Sequence, residues 1–280
     1  MKERIFYDFA TRNKYFLDLH RYLKSKRIKN NKFMLKIYDT ELISIDPFDL
    51  NLSESNKQKV LDEIEKNFFY YVREIVRIYQ QGGGICRPRF NIANLAQLYL
   101  YDNNISSWTS CYRQSLKTIT VCIIESYNRL FDKKDNNYCS HGYDKFVESK
   151  VDSIYELLPD YIKNHKFNSD SKRNISYFDD AEFIEQLESK ISNDDLNIFT
   201  SIINKNANEL GILKIYDKYA IDWDELFFDK LPEIKDNKQF VHIKYTYKEL
   251  GISEEDLKIM KSILNHDEDL IKREILLIRD

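Results

Sequence analysis

"SSWTSCYRQSLKTITVCIIESYNRLF", residues 106–131, reads as three pieces. Residues 106–112 suit a short strand. Residues 113–117 read as a loop, and residues 118–131 carry an apolar pattern of helical length. A strand, a loop and a helix in that order, with Lys117-Thr118 at the loop's end, is the setting of a phosphate-binding loop. Such a loop holds phosphate oxygens in backbone N–H groups at a helix N-terminus. Its lysine reaches the β- and γ-phosphates, and its Ser or Thr hydroxyl binds Mg²⁺. The template wants glycine at 111 and 116, where this chain has Cys111 and Leu116. A branched residue in the left-handed conformation such a loop can need costs about 1–2 kcal/mol, and its bulk crowds a phosphate. From the pattern alone, a nucleotide site and a plain strand–turn–helix both remain open.

Outward from this stretch, short apolar runs alternate with helical ones. Residues 55–79 carry the strongest helical periodicity, with Val60, Leu61, Ile64, Phe68, Tyr71, Ile75, Val76 and Tyr79 recurring at helical spacing. "QQGGGICRPRF" breaks it, and three of the chain's six glycines, Gly82, Gly83 and Gly84, sit there. A helix follows at 91–103, and residues 1–28 read as another. "VESKVDSIYELLPDYI" is an amphipathic helix stopped by Pro159, and 194–210 is a helix that stops before Gly211. "ISYFDDAEFI", "GILKIYDKYAI" and "KQFVHIKYTY" each hold a short strand. Ser253, with Asp256 three residues on, opens a helix by a capping box. Asp179 follows the apolar "ISYF" and is placed to hold a metal, with Asp180 or Glu182 beside it to activate water. Alternating helices and strands give an α/β layer architecture. The expected fold class is therefore α/β. Residues 1–54 would form a helical and irregular extension, and 55–280 the main domain.

Composition narrows the classes. Of 280 residues, 32% are charged, yet the net charge is only −3, so there is no global basic signature for nucleic acid. Tyr (20) and Phe (17) far outnumber Gly (6) and Pro (4), which is the composition of a packed core. Cys86, Cys111, Cys122 and Cys139 form no CxxC pair and the five histidines are scattered, so no structural metal is expected and the thiols are read as reduced. No run reaches the roughly 20 apolar residues that span a bilayer, and the first residues lack a secretory apolar region. The expectation is a soluble intracellular chain with no membrane partner.

Arg113-Gln114-Ser115-Leu116-Lys117-Thr118 resembles the phosphate loop of phage terminase large subunits, the motors that pump DNA into proheads, which typically reads Arg-Gln-x-Gly-Lys-Thr. Other stretches resemble the same ATPase domain in order. They are "NKYFLDLHRYLKSKRIKNNKFMLKIYD" and "FFYYVREIVRI", then "GGG" with "FNIANLAQLYLYDNNI", then "VESKVDSIYELLPDYI", "ISYFDDAEFI" and "FVHIKYTYKELGISEEDLKIMKSILNHDEDLIKREILL". The likeness covers most of the chain and implies a P-loop NTPase-like, mostly parallel sheet flanked by helices. It implies that Gln114, Ser115, Lys117 and Thr118 cradle MgATP, with Gly83 and Gly84 near the adenine. It implies that Thr118 and Asp179 hold Mg²⁺, that Asp180 or Glu182 activates water, and that Arg113 contacts phosphate or senses hydrolysis. Three departures stand against turnover. Leu116 replaces the loop glycine, Asp180 replaces the expected glutamate, and "DKYAIDW" stands where a Thr-Thr-Pro coupling motif belongs. The chain also ends where that family's RNase H-like nuclease would begin, so no nuclease is expected. The first reading is therefore a degenerate Walker A protein, a pseudo-ATPase in the cytoplasm of an infected bacterium. It would bind packaging machinery, another phage protein or a host factor. One alternative is an active compact packaging ATPase that binds double-stranded DNA and forms an oligomer. Another is an inhibitor or virion scaffold with no nucleotide.

Overall fold

The computed structural model describes residue 21 and residues 40–80, 82–88, 90–103, 106–111, 117–131, 140–141, 145–168, 175–178, 212–216, 240–248 and 252–276. Of the helix read over 1–28 only Arg21, in helix, falls among them, and the helix read over 194–210 lies outside them. The chain divides into two compact units. One comprises Met1–Arg89, Thr118–Asn137 and Asp144–Arg173; the other comprises Phe90–Lys117, Tyr138–Tyr143 and Asn174–Asp280.

The first unit is mainly helical. Helix α1 (Glu54–Lys66) opens at Ser53, whose hydroxyl accepts from the Asn56 N–H at 3.3 Å, an N-cap that fills one of the helix's unmatched donors. It buries Val60, Leu61 and Ile64. The sequence reads as one helix over 55–79, but the helix breaks at Asn67. The Asn67 side-chain oxygen accepts from the Tyr70 N–H at 3.2 Å, and its amide donates to the Glu63 carboxylate at 2.7 Å. The side chain thus stops α1 and starts α2 (Phe68–Tyr70), which runs into a π-turn at Tyr71–Ile75. Arg77 closes that turn by donating to the Glu74 and Val76 carbonyls, each at 2.9 Å, with its guanidinium 4.2 Å from the Phe48 ring centroid.

Beyond Arg77 the chain forms an antiparallel hairpin, not more helix. Strands β1 (Ile78–Tyr79) and β2 (Ile85–Cys86) pair Ile78 with Cys86 and Tyr79 with Ile85. Gly82, Gly83 and Gly84 make its turn with φ of 94°, 102° and 89°, angles that favour glycine.

Helix α4 (Lys117–Phe131), in this unit from Thr118 onward, is buried on all sides through its middle. Tyr127 lies 4.9 Å from Phe68, 5.1 Å from Tyr71 and 4.9 Å from Phe131, centroid to centroid. Its hydroxyl donates to the Ile64 carbonyl at 2.9 Å, near the end of α1, where backbone acceptors lack helical partners. The Ser126 hydroxyl donates to the Ile123 carbonyl, so Tyr71 is the donor in its 2.8 Å bond to Ser126. Helix α5 (Lys145–Glu156) runs near β1, and Arg129 of α4 pairs with its Asp152. Helix α6 (Asp160–Lys163) follows Pro159, and Tyr161 ties it to the Pro47 carbonyl at 3.1 Å.

The second unit holds a five-stranded sheet. Its strands are β3 (Ser106–Cys111), β4 (Ser140–His141), β5 (Ile175–Phe178), β6 (Ile212–Tyr216) and β7 (Phe240–Tyr245). Their spatial order is β4-β5-β6-β3-β7, and every pairing is parallel. Helix α3 (Ile92–Asp102) packs against β3 and β7. It opens with a reciprocal capping box between Asn91 and Asn94, at 3.0 and 3.1 Å, and is buried all round from Ala93 to Tyr101. Helix α7 (Glu254–Ile263) is capped by Ser253, which accepts from the Asp256 N–H at 3.1 Å; the Asp256 side chain answers the Ser253 hydroxyl at 2.6 Å, not the backbone. It ends with left-handed Asn265 and His266 (φ 52° and 58°), whose N–H groups reach the Ser262 and Lys261 carbonyls, each at 3.0 Å. This is the two-bond pattern of a Schellman stop. Helix α8 (Glu268–Ile271) and a π-turn (Lys272–Leu276) complete a small apolar cluster around Leu257, Leu264, Ile271 and Ile275.

Candidate functional site

Strand β3 is an inner strand, paired with β6 on one side and β7 on the other. After five intervening residues, α4 opens at Lys117. The first N–H groups of a helix have no acceptor within it, and the helix dipole adds partial positive charge there. Anions are therefore favoured at this end. Because the sheet is parallel, all its carboxyl ends lie along one edge.

The register makes that edge stepped. Cys111 is level with Tyr245, so β3 and β7 end together. Tyr216, the last residue of β6, is level with Thr109, and Phe178, the last of β5, pairs with Ile215, which is level with Trp108. Among the described residues, β3 thus runs two residues past β6 and three past β5, a step of about 7–10 Å at 3.3 Å per residue. Asp179 is the residue after Phe178. The two strands that carry Lys117 and Asp179 are separated by β6, so their ends are about 10 Å apart across the sheet.

Lys117 and Thr118 occupy the first two positions of α4. Arg113, Gln114, Ser115 and Leu116 lie outside the described residues, as do Asp179, Asp180 and Glu182. Gly83 and Gly84 are exposed in the hairpin turn of the helical unit, and a Cβ on either would meet nothing within 4 Å. Their glycine identity follows from backbone angle, not from a crowded neighbour.

Among the described residues, the perturbed titratable groups lie in the helical unit. Burial, with Glu74 next in weight, pushes the Tyr70 phenol far above its ordinary value. Burial does the same for Tyr71, against the opposing effect of its hydrogen bond with Ser126. Burial also raises Tyr161, with Asp46 adding to the effect. These phenols sit among core side chains, which marks packing rather than proton transfer. A second polar group went unread in the sequence. Glu74 bridges Arg73 at 2.5 Å and Arg87 at 3.2 Å, joining the π-turn to the foot of the hairpin. No spacing signal links residues 74 and 87, because the hairpin that brings them together is itself silent in the pattern.

Cys86 is half-buried and Cys122 is buried. Among the described residues no group of three or more His, Cys, Asp or Glu side chains is placed to hold a metal ion. No described helix is long and apolar enough to cross a membrane. No protein-family model matches the chain, and no curated protein matches it in sequence.

Proposed function

We propose that this chain is a terminase-like pseudo-ATPase of phage origin: a P-loop protein that retains a nucleotide site and acts by binding rather than by hydrolysis. The passage from inner strand β3 through five residues into α4, with Lys117 as the first helical residue, carries the reading. The strand order adds support. From β3 the chain moves to the far edge at β4, and from β6 it passes over β3 to β7. Right-handed crossovers in these opposite directions leave two neighbouring strands, β3 and β6, toward opposite faces of the sheet. Open α/β sheets bind ligands in the crevice that such a reversal creates at the carboxyl ends.

In that crevice Lys117 would meet the β- and γ-phosphates, and Thr118 and Asp179 would hold Mg²⁺. Gln114 and Ser115 would line the loop and Arg113 would reach phosphate, while Asp180 and Glu182 are the candidates for orienting water. MgATP, when bound, carries the phosphoryl bond whose cleavage drives DNA translocation in an active motor. Two residues fit poorly: Leu116, whose bulk stands where the loop wants glycine, and Asp180, with a carboxylate one methylene shorter than the glutamate that cleavage needs. Binding without turnover is the outcome these residues favour. The partner would then be packaging machinery, another phage protein or a host factor, in the cytoplasm of the infected cell. The stepped parallel edge also suits the alternative, an active compact packaging ATPase working on double-stranded DNA as an oligomer.

Thermal unfolding with and without MgATP tests this, on wild type and Lys117→Ala, together with phosphate release in the presence of DNA. Nucleotide at 100 times Kd stabilises the folded state by about 2.7 kcal/mol. The proposal expects that shift in wild type, its loss in Lys117→Ala, and no phosphate release. Release stimulated by DNA would replace the pseudoenzyme with the active motor. No shift at millimolar MgATP would remove the nucleotide site and leave a scaffold.

A further inference from the structure

We propose that the outer face of α7 is a docking surface for a cationic amphipathic helix of a partner protein. A helix needs one apolar stripe to join a core, and α7 has it. Leu257 and Leu264 are buried with Ile271 and Ile275 in the small cluster, and Met260 packs against it. At about 100° per residue, Ile259 stands about 200° round the helix from Leu257. It belongs to a second stripe, which Ile263 continues one turn on. These two side chains are 55% and 49% exposed. The cluster draws its contacts from the other side of the helix and gains nothing from them.

The charges around that second stripe decide what covers it. Glu255 stands four residues before Ile259 and Asp256 three, so both carboxylates lie on its face. Glu254 precedes them, and Glu268 and Asp269 follow past the C-terminal end, in the first turn of α8. All five are exposed. The helix dipole accounts for carboxylates in a first turn, but it supplies no cation to pair with them. Among the described residues, Glu254, Glu255 and Glu268 enter no side-chain hydrogen bond or ion pair. Lys258 and Lys261 stand about 100° and 200° round the helix from Ile259, off the stripe. Such a rim repels an anionic membrane or a nucleic-acid backbone. A second copy of this chain would bring the same carboxylates against it. A helix with lysine or arginine beside an apolar stripe fits both features, because its apolar side covers Ile259 and Ile263 while its cations meet the carboxylates. The surface stands whether or not the loop after β3 takes nucleotide, since none of its residues belongs to that loop.

NMR titration of the full chain with a synthetic amphipathic helix of leucine and lysine, roughly 18 residues long so that it can hold its shape, tests the surface. The controls are the same pattern with glutamate for lysine, and vesicles of phosphatidylglycerol. Wild type should bind the lysine peptide and neither control, with shifts confined to amides of residues 252–269 and an affinity that falls as salt rises. Ile259→Gln with Ile263→Gln leaves the buried side of α7 untouched. It should weaken the peptide roughly ten- to a hundredfold, because each isoleucine has about half of its surface left to bury. Glu255→Lys with Glu268→Lys should weaken the lysine peptide and admit the glutamate one. Shifts away from α7 and α8, or unchanged affinity in the isoleucine variant, overturn the assignment. So does a glutamate peptide that wild type binds as tightly as the lysine one. Vesicle binding lost in the isoleucine variant would give the face to a membrane, and self-association lost there would give it to a second copy; either ends the proposal. Failure of wild type to bind the lysine peptide at millimolar concentration ends it too.

Discussion

Replacing Asn67 with alanine should loosen the helical unit at one joint, by an amount that follows from its contacts. The Asn67 oxygen caps α2 through the Tyr70 N–H, and its amide donates to Glu63, a carboxylate only 2% exposed. Loss of an N-cap costs about 1 kcal/mol. Loss of a hydrogen bond to a buried charged group costs about 1.5–3 kcal/mol. Alanine recovers about 0.5 kcal/mol through its higher helix propensity. The net is about 2–3.5 kcal/mol, so the break loses more than a continuous helix would gain. Hydrogen exchange reads such local opening directly. Amide protection over residues 60–75 should fall roughly 30- to 300-fold in Asn67→Ala. Asn67→Asp should be worse at neutral pH, because it keeps the cap acceptor but sets a second carboxylate against Glu63. Protection within threefold of wild type in Asn67→Ala would refute the reasoning, since the break would then be held by the surrounding core and not by the asparagine.

Two other outcomes follow from the same structure. Burial holds the Tyr70 and Tyr71 phenols protonated in the fold, while in the unfolded chain they ionise near pH 10. Above that pH the folded state binds more protons than the unfolded one. Stability is therefore full below pH 10 and falls as pH rises beyond it, by up to about 1.4 kcal/mol per unit for each phenol; a flat unfolding midpoint between pH 10 and 11.5 would contradict this. His266 sits at φ 58° without being glycine, so His266→Gly should stabilise the end of α7 by about 0.5–1 kcal/mol in urea unfolding. Unchanged or lower stability would mean that the imidazole makes a contact worth more than the strain.

The sequence places several elements well and others not at all. The strand and helix read at 106–112 and 118–131 stand at Ser106–Cys111 and Lys117–Phe131. The apolar runs containing β5, β6 and β7 are legible because four to six consecutive strand residues leave a pattern. Strand β4 has two residues, and so do both strands of the hairpin, and two residues carry no periodicity. The break at Asn67 hides for another reason. An Asn four residues after a Glu is equally at home in an uninterrupted helix, and only burial of the pair turns it into a stop. The positions of Lys117 and Asp179 along the chain are readable, but the order that puts β6 between their strands is not. It arises from pairings between residues far apart in sequence, such as Ser107 with Lys214. Arg113 through Leu116, on which the chemistry of the loop depends, are known by identity alone.

The division of the chain has a consequence for how the protein is made. Its two units share the sequence in alternating pieces, and the chain passes from one to the other after residues 89, 117, 137, 143 and 173. A ribosome therefore cannot deliver either unit whole before starting the other. The helical unit lacks its last segment until residue 144 onward has emerged. Strand β3, made early, has no sheet neighbour until β6 arrives about a hundred residues later, and at about 5–20 residues per second that is a wait of roughly 5–20 seconds. For that time the nascent chain exposes an unpaired strand, the kind of edge that chaperones shield. Cutting the gene anywhere between residues 90 and 173 would separate parts of both units, so the smallest piece of this protein that keeps either unit's segments together is a long one.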